Sequence, residues 1–179
     1  IDVLQNVILI GNDLLRKGIF DFFEIAKLFP ALKFHIAGSG NGKIDVDGEI
    51  LKRELKNVVY HGIVTKENLI KLLGVMDLQI LPSRSEGFPK VILETASAGI
   101  PSIVYPDYGA EEWLAHKVNG FIVRDVQEAT SIIKELIISP EKLKLVSKNA
   151  VELGNSFDWA LRIEDWEDEI FGIFSNGSQ

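Results

Sequence analysis

The chain has 179 residues, of which 46% are hydrophobic, and a formal net charge of −7. That length and apolar content allow one buried core, so we expect a single globular domain. The acidic excess argues against a nucleic-acid-binding surface, whose affinity would rest on clustered lysine and arginine. The chain contains no cysteine, which excludes disulfides and thiolate metal sites and favours a reducing, cytoplasmic setting.

Short β-branched runs alternate with longer amphipathic stretches along the chain. This alternation predicts a Rossmann-like α/β domain of three layers, in which helices cover both faces of a mostly parallel six-stranded sheet. The expected strands are residues 7–10, 33–37, 58–61, 78–81, 102–105 and 120–123. The expected helices are residues 18–28, 49–56, 65–74, 89–98 and 109–116, with two or three more after Val123.

The last third of the chain carries helix signals instead of strand signals. Asp125 is a predicted N-cap with Glu128 three residues later, and Pro140 suits a first helical turn. Five apolar residues then recur at helical spacing, which favours packing against the core: Trp159, Ile163, Trp166, Ile170 and Phe174. We therefore expect one domain over residues 1–174 and a disordered polar tail over 175–179.

The loop after the fourth strand is the segment richest in candidate functional residues. It contains Glu86 and, eight positions later in the following helix, Glu94. If that helix begins near Pro89, both carboxylates border a cleft at its N-terminus, where free N–H groups attract an anion such as a diphosphate. A carboxylate beside the anion would accept hydrogen bonds from sugar hydroxyls. Glu94 lies in an otherwise apolar helix, so it needs a partner, and a hydroxyl-rich ligand is one.

A purely structural interpretation of both glutamates is also open. Ser83 and Glu86 have the spacing of a capping box, in which Glu86 would only satisfy backbone donors. Glu94 would then face solvent or pair with a lysine.

The segment from Glu86-Gly87-Phe88-Pro89 to Glu94, followed by Ala98-Gly99-Ile100-Pro101, resembles the E-x7-E signature of retaining GT-B glycosyltransferases of the GT4-like type. Residues 8–18 resemble the first strand and phosphate loop of that family, and the resemblance covers nearly the whole chain. It implies that the chain is the nucleotide-sugar-binding half of a GT-B fold. The N-terminal acceptor domain would be absent from this chain, and any peripheral membrane association would depend on that missing part.

The resemblance also implies roles for individual residues. Glu86 would be the catalytic residue that touches hydroxyls of the transferred sugar, and Glu94 would bind the ribose hydroxyls. Neighbouring backbone would complete the donor site at two groups of positions: Ile63 and Val64 for the base, and Gly87, Phe88, Pro89 and Lys90 for the sugar and diphosphate. Pro89 borders that group without an N–H to donate.

Residues 11–18, the predicted phosphate loop, depart from the family pattern at one position. Lys17 stands where the family has a lysine that meets the diphosphate, but Asn12 stands where it usually has an arginine. Two outcomes remain open, because Arg16 or another basic residue could supply the missing charge, or donor binding could be weak or altered.

The function that these residues imply is sugar transfer from a nucleoside-diphosphate sugar to an acceptor hydroxyl, with retention of configuration. No cofactor and no obligatory metal are expected, because Lys17 and helix N-termini would meet the diphosphate charge. This chain alone would be an inactive fragment. The alternatives are a GT-B-like nucleotide-sugar epimerase and a non-catalytic nucleotide-sugar-binding module.

Overall fold

A computed structural model describes residues 3–157 of the chain. Six strands form one sheet, in which every pair of neighbours is parallel. The strands are β1 Asn6–Gly11, β2 Lys33–Gly38, β3 Val58–Tyr60, β4 Leu78–Leu81, β5 Ser102–Val104 and β6 Phe121–Ile122. Their order across the sheet is β3-β2-β1-β4-β5-β6. The predicted parallel, six-stranded, Rossmann-like sheet is therefore confirmed.

Alternate residues of β1 pack into two different cores. Val7 and Leu9 belong to the main core, together with Phe22 of the first helix. Ile8 points to the other face and packs with Leu73 among others. Because successive side chains of a strand point to opposite faces, this split shows that the sheet is covered on both sides, as its run of apolar residues predicts.

Six α-helices surround the sheet in the part of the chain that the structure describes. They are α1 Ile19–Leu28, α2 Val46–Lys52, α3 Lys66–Leu73, α4 Lys90–Ser97, α5 Val126–Ile138 and α6 Pro140–Ser156. The predicted N-cap at Asp125 is confirmed, since its carboxylate accepts a 2.9 Å hydrogen bond from the Glu128 N–H. None of these helices, all within residues 3–157, combines the length and the apolar character that a membrane span requires.

Two predicted helices differ from the structure. The helix expected at 49–56 begins earlier, because Asp45 caps it by accepting from the Gly48 N–H, and it ends at Lys52, shortly before Glu54 adopts a left-handed φ of 55°. The helix expected at 109–116 is wrong. Only the 3-10 turn Ala110–Glu112 forms there, and the chain leaves helical geometry at Trp113. The apolar stripe beyond 157, the boundary at 174 and the tail at 175–179 lie outside the described residues.

The order of the strands places a crevice between β1 and β4. From β1 the chain moves outward through β2 and β3, and it then crosses back to β4 and moves out on the other side. Ligands of open α/β sheets bind at such a switch point, beyond the carboxyl ends of the strands. Gly11 ends β1 opposite Gly38 of β2, and a Cβ on Gly38 would overlap the Gly11 carbonyl oxygen. These two glycines therefore let the loops after β1 and β2 come together at this edge.

Candidate functional site

A cavity of about 580 Å³ opens beyond the carboxyl ends of β1 and β4, and we call it the β1–β4 cleft. It is lined by Ile10, Gly11, Asn12, Asp13, Arg16, Lys17, Asn41, Leu69, Glu86, Phe88, Pro89, Lys90, Val91 and Glu94. The predicted phosphate loop, the loop after β4 and the start of α4 thus meet in one place. Another cavity, of about 520 Å³, lies between the 112–119 segment and α6. The described residues of its lining include Glu112 and Glu152 but no lysine or arginine, so their charge does not suit a phosphate.

Lys17 is held across the floor of the cleft by the backbone of its own loop. Its side chain lies over Gly11, where a Cβ would stand only 2.6 Å from the lysine Cγ. The turn that returns it to the cleft is fixed by a 2.9 Å hydrogen bond from the Lys17 N–H to the Asp13 carbonyl. Lys17 is consequently only 8% exposed, which is rare for a lysine without a charged partner.

The partner of Lys17 is Glu86. The lysine Nζ lies 2.7 Å from Glu86 Oε1, and Arg16 Nη1 donates a 2.9 Å hydrogen bond to Glu86 Oε2. The same Arg16 nitrogen donates to the Ser85 carbonyl at 2.5 Å, while the Ser83 hydroxyl donates to the Arg16 carbonyl at 3.1 Å. The phosphate loop and the loop after β4 are therefore joined by a three-membered ion cluster whose centre is Glu86.

Glu86 is charged in spite of its burial. Its side chain is 5% exposed, and burial by itself would raise the pKa of the carboxyl. The opposing effects of Lys17, Ser83 and Arg16 are stronger, so the pKa of Glu86 lies below its ordinary value. The negative charge of Glu86 also acts on Tyr108, since the pKa of the Tyr108 hydroxyl is raised first by burial and then by Glu86. The Tyr108 hydroxyl is buried and has no hydrogen-bond partner within residues 3–157.

The N-terminus of α4 borders the cleft without a side-chain cap. Pro89 occupies the cap position and has no side-chain hydrogen bond to offer. In the described residues the N–H groups of Gly87 and Phe88 make no hydrogen bond, whereas that of Lys90 already donates to the Phe88 carbonyl at 2.9 Å. Free N–H groups and the positive end of the helix dipole are suited to an anion.

The structure brings most of the predicted site residues together. Asn12, Arg16, Lys17, Glu86, Phe88, Pro89, Lys90 and Glu94 all line the cleft, and Gly87 lies between two of them. Ile63 and Val64 are not part of the lining, although their loop follows β3 at the same edge of the sheet. Ile63 is 78% exposed.

Two ideas from the sequence are wrong. The proposed capping box from Ser83 to Glu86 does not form, because the helix begins only at Lys90 and Glu86 is bound to cations instead. The argument that Glu94 needs a partner because its helix is otherwise apolar also fails, since Glu94 is exposed on the cleft side of α4, as the structural interpretation of this residue predicts. No ion pair to Glu94 exists within residues 3–157, so its carboxylate faces the cleft without a cation.

Sequence reasoning missed several residues that border the cleft. Asp13 lies in the phosphate loop and pairs with Lys43 at 2.6 Å, which ties that loop to the one after β2. Asn41 lines the cleft from the loop after β2, and Leu69 reaches it from α3. Asp13 and Asn41 could have been found from their positions, because both follow a strand at the carboxyl edge of the sheet.

The chain belongs to the family of glycosyl transferases group 1, whose model matches residues 5–153. It is 38% identical over 91 residues to the alpha-galactosylglucosyldiacylglycerol synthase of Streptococcus pneumoniae, a match that covers 48% of this chain and 24% of that protein. It is 27% identical over 165 residues to the N,N'-diacetylbacillosaminyl-diphospho-undecaprenol alpha-1,3-N-acetylgalactosaminyltransferase of Campylobacter jejuni, covering 88% of this chain and 42% of that enzyme.

The fold matches the crystal structure of Anabaena HepE in complex with UDP, with a TM-score of 0.82 at 22% identity. That match covers 94% of this chain and 49% of HepE, and at this identity it shows a similarity of fold alone. The chain is thus a glycosyltransferase group 1 domain with the GT-B type of Rossmann-like fold. It spans less than half the length of these three proteins.

Proposed function

We propose that this chain is the donor-binding domain of a retaining GT-B glycosyltransferase. In this proposal the β1–β4 cleft binds a nucleoside-diphosphate sugar, and another domain supplies the acceptor. The observation that carries the proposal is the meeting of Glu86, Lys17 and the uncapped start of α4 in one cleft. A carboxylate for hydroxyls and cations for a diphosphate are the two chemistries that such a donor requires.

Each part of the donor has a proposed partner. Lys17 and Arg16 meet the diphosphate, helped by the N–H groups of Gly87 and Phe88 in the loop just before α4. Glu86 accepts hydrogen bonds from the transferred sugar and Glu94 from the ribose. Arg16 thereby supplies the charge that Asn12 lacks, since its guanidinium already reaches into the cleft beside Lys17.

The reaction that follows is displacement at the anomeric carbon. The bond from that carbon to the diphosphate oxygen breaks, a bond to the acceptor oxygen forms, and the acceptor proton leaves with the diphosphate. Lys17, Arg16 and the α4 N-terminus stabilise the negative charge that develops on the leaving group. These groups meet that charge without a metal ion, so the proposal includes no obligatory metal and no cofactor.

Calorimetry with UDP, GDP and ADP tests the binding half of the proposal. The buffer contains a chelator, so that uptake also tests the independence from metal. We expect one nucleoside diphosphate to bind at one site per chain and the corresponding nucleoside to bind more weakly. Uptake of none of the three would contradict the proposal and favour a module with another ligand.

The transfer half is tested with the longer protein that contains this domain. Incubation with a nucleotide sugar and no acceptor separates transfer from epimerisation, because only an epimerase would isomerise the sugar under those conditions. Retention is tested by the anomeric configuration of the glycoside that forms with an acceptor.

A further inference from the structure

Both oxygens of Glu86 are committed to cations that the proposed function assigns to the diphosphate. Oε2 accepts from Arg16 Nη1 at 2.9 Å, and Oε1 lies 2.7 Å from Lys17 Nζ. The contact to Lys17 is a charge contact and not a well-directed hydrogen bond, since Oε1 accepts none within the described residues. The carboxylate therefore occupies the place between the cations that an anionic ligand would take.

The charges that line the cleft cancel. Among the described residues, three carboxylates line it, at Asp13, Glu86 and Glu94, and so do three cationic side chains, at Arg16, Lys17 and Lys90. A diphosphate that binds Lys17 and Arg16 must therefore compete with Glu86 for them. The Glu86 side chain is only 5% exposed where it lies, so a carboxylate that loses both cations there needs a new hydrogen-bond donor.

We propose that Glu86 is an internal counter-ion of the phosphate-binding cations and that it thereby makes the cleft discriminate between a nucleotide sugar and a bare nucleoside diphosphate. The inference rests on the proposed function, since it requires that Lys17 and Arg16 bind the diphosphate. A nucleotide sugar brings hydroxyls that donate to the displaced carboxylate. A nucleoside diphosphate has only its ribose hydroxyls, which the proposed function assigns to Glu94, so Glu86 gains no new donor and competes with the diphosphate for the two cations.

The consequence for the reaction is that the product is expelled by the residue that holds the substrate. Once the sugar has left, Glu86 loses its hydroxyl donors and is drawn back to Lys17 and Arg16. Each unpaired buried charge is strongly unfavourable, so the return of Glu86 to the cations weakens the binding of the diphosphate after the sugar has left. Glu86 is here a specificity-determining residue for the donor as well as a contact to the sugar.

The test is the substitution Glu86→Gln, which keeps the shape and removes the charge. Dissociation constants are measured by calorimetry for the best bound of UDP, GDP and ADP and for the matching nucleotide-glucose. We expect Glu86→Gln to bind the nucleoside diphosphate about three- to tenfold more tightly, because the cations are freed, and to gain nothing for the nucleotide sugar. The ratio of the two constants is the readout.

Asp13→Asn is the matched control. Asp13 lines the same cleft, and the substitution changes the charge by the same amount. The Asp13 carboxylate pairs with Lys43 and accepts from the Arg16 backbone N–H at 3.3 Å, but it makes no ion pair with the Lys17 or Arg16 side chain. A nucleoside diphosphate carries more negative charge than a nucleotide sugar, so a general gain in positive potential moves the ratio slightly. Asp13→Asn measures that part, and we expect it to be much smaller than the change in Glu86→Gln. Glu86→Ala serves as a second variant if the glutamine variant does not fold, as judged by its thermal unfolding.

The outcomes separate the inference from the proposed function. If the unsubstituted chain takes up neither ligand, the proposed function fails and this inference fails with it. If it binds both and Glu86→Gln leaves or weakens nucleoside-diphosphate binding, only the inference fails. A ratio that moves equally in Asp13→Asn would also overturn it, because the effect would then be one of overall charge.

Discussion

Lys17 illustrates how a single residue acquires its proposed role from its surroundings. Its side chain is fixed over Gly11 and lies against Glu86, so it enters the cleft with little freedom. A surface lysine would lose side-chain entropy on binding a phosphate, whereas this one has lost most of it on folding. We therefore expect Lys17 to be the residue on which the proposed diphosphate binding depends most.

We predict that Lys17→Ala weakens nucleoside-diphosphate binding by about 1.5–3 kcal/mol, the range of a charge-assisted hydrogen bond. Affinity for the uncharged nucleoside should hardly change. Calorimetry with both ligands makes the check, and a parallel loss for the nucleoside would point to a loosened fold instead of a lost phosphate contact.

A second prediction concerns Arg16 and Asn12. Arg16→Ala should weaken diphosphate binding by about three- to tenfold, less than the loss of Lys17, because the Arg16 side chain is 44% exposed. In that background, Asn12→Arg should restore part of the affinity, since it returns a guanidinium to the position that the family usually fills. If Arg16→Ala has no effect in low-salt calorimetry, Arg16 is not the replacement for the missing arginine.

The lowered pKa of Glu86 predicts how the stability of the chain depends on pH. A carboxyl whose folded pKa is lowered stabilises the fold above its unfolded pKa, near 4.5, and loses that contribution as the pH falls through the folded pKa. The free energy of unfolding of the unsubstituted chain should therefore fall more steeply than that of Glu86→Gln below about pH 4.5. Denaturant titrations across this range measure both slopes, and parallel curves would contradict the prediction.

At the scale of elements, the site depends on two loops approaching each other closely. Gly18 ends the phosphate loop with a φ of 80°, and a Cβ there would overlap the carbonyl oxygen of Pro82, the first residue after β4. The Arg16 contacts to Ser85 and Glu86 lie just beside this approach. The ion cluster thus exists only while the two loops keep their spacing.

Gly18→Ala should therefore destabilise the domain by more than the roughly 1–2 kcal/mol of a left-handed alanine, and it should weaken diphosphate binding. Gly62→Ala is the matched control, because Gly62 has a φ of 65° but a Cβ there would meet nothing within 4 Å. Denaturant unfolding of both variants gives the comparison. Equal losses would show that the approach of the loops tolerates a methyl group.

For the whole molecule, the proposed function requires a partner domain. The β1–β4 cleft is open at the carboxyl edge of the sheet, and its described residues include donors for an anion and acceptors for hydroxyls. Attack by an acceptor requires that its hydroxyl be held at the anomeric carbon, and such positioning supplies much of the rate of a two-substrate reaction. The proposed division of labour leaves this task to the domain that this chain would lack.

We accordingly predict that the 179-residue chain, produced alone, binds a nucleoside diphosphate and transfers no sugar. A transfer assay with labelled nucleotide sugar measures this, with the longer protein that contains the domain as the positive control. Measurable transfer by the chain alone would show that the two-domain proposal is wrong.

The sequence by itself determined the layers of the fold and the segment that holds the site. Apolar runs of strand length that alternate with amphipathic helices define a parallel sheet, because the spacing of apolar residues in each segment fits only one kind of element. The bounds predicted for β4, Leu78–Leu81, are those observed. The helix that the sequence predicts at 109–116 does not form, because the chain makes a short 3-10 turn after Gly109 instead. Only the tertiary structure placed Glu86 between Arg16 and Lys17, about 70 positions away along the chain, and exposed Glu94. The reason is physical, because contacts between loops of separate strands depend on sheet order and loop geometry, which no local pattern of residues encodes.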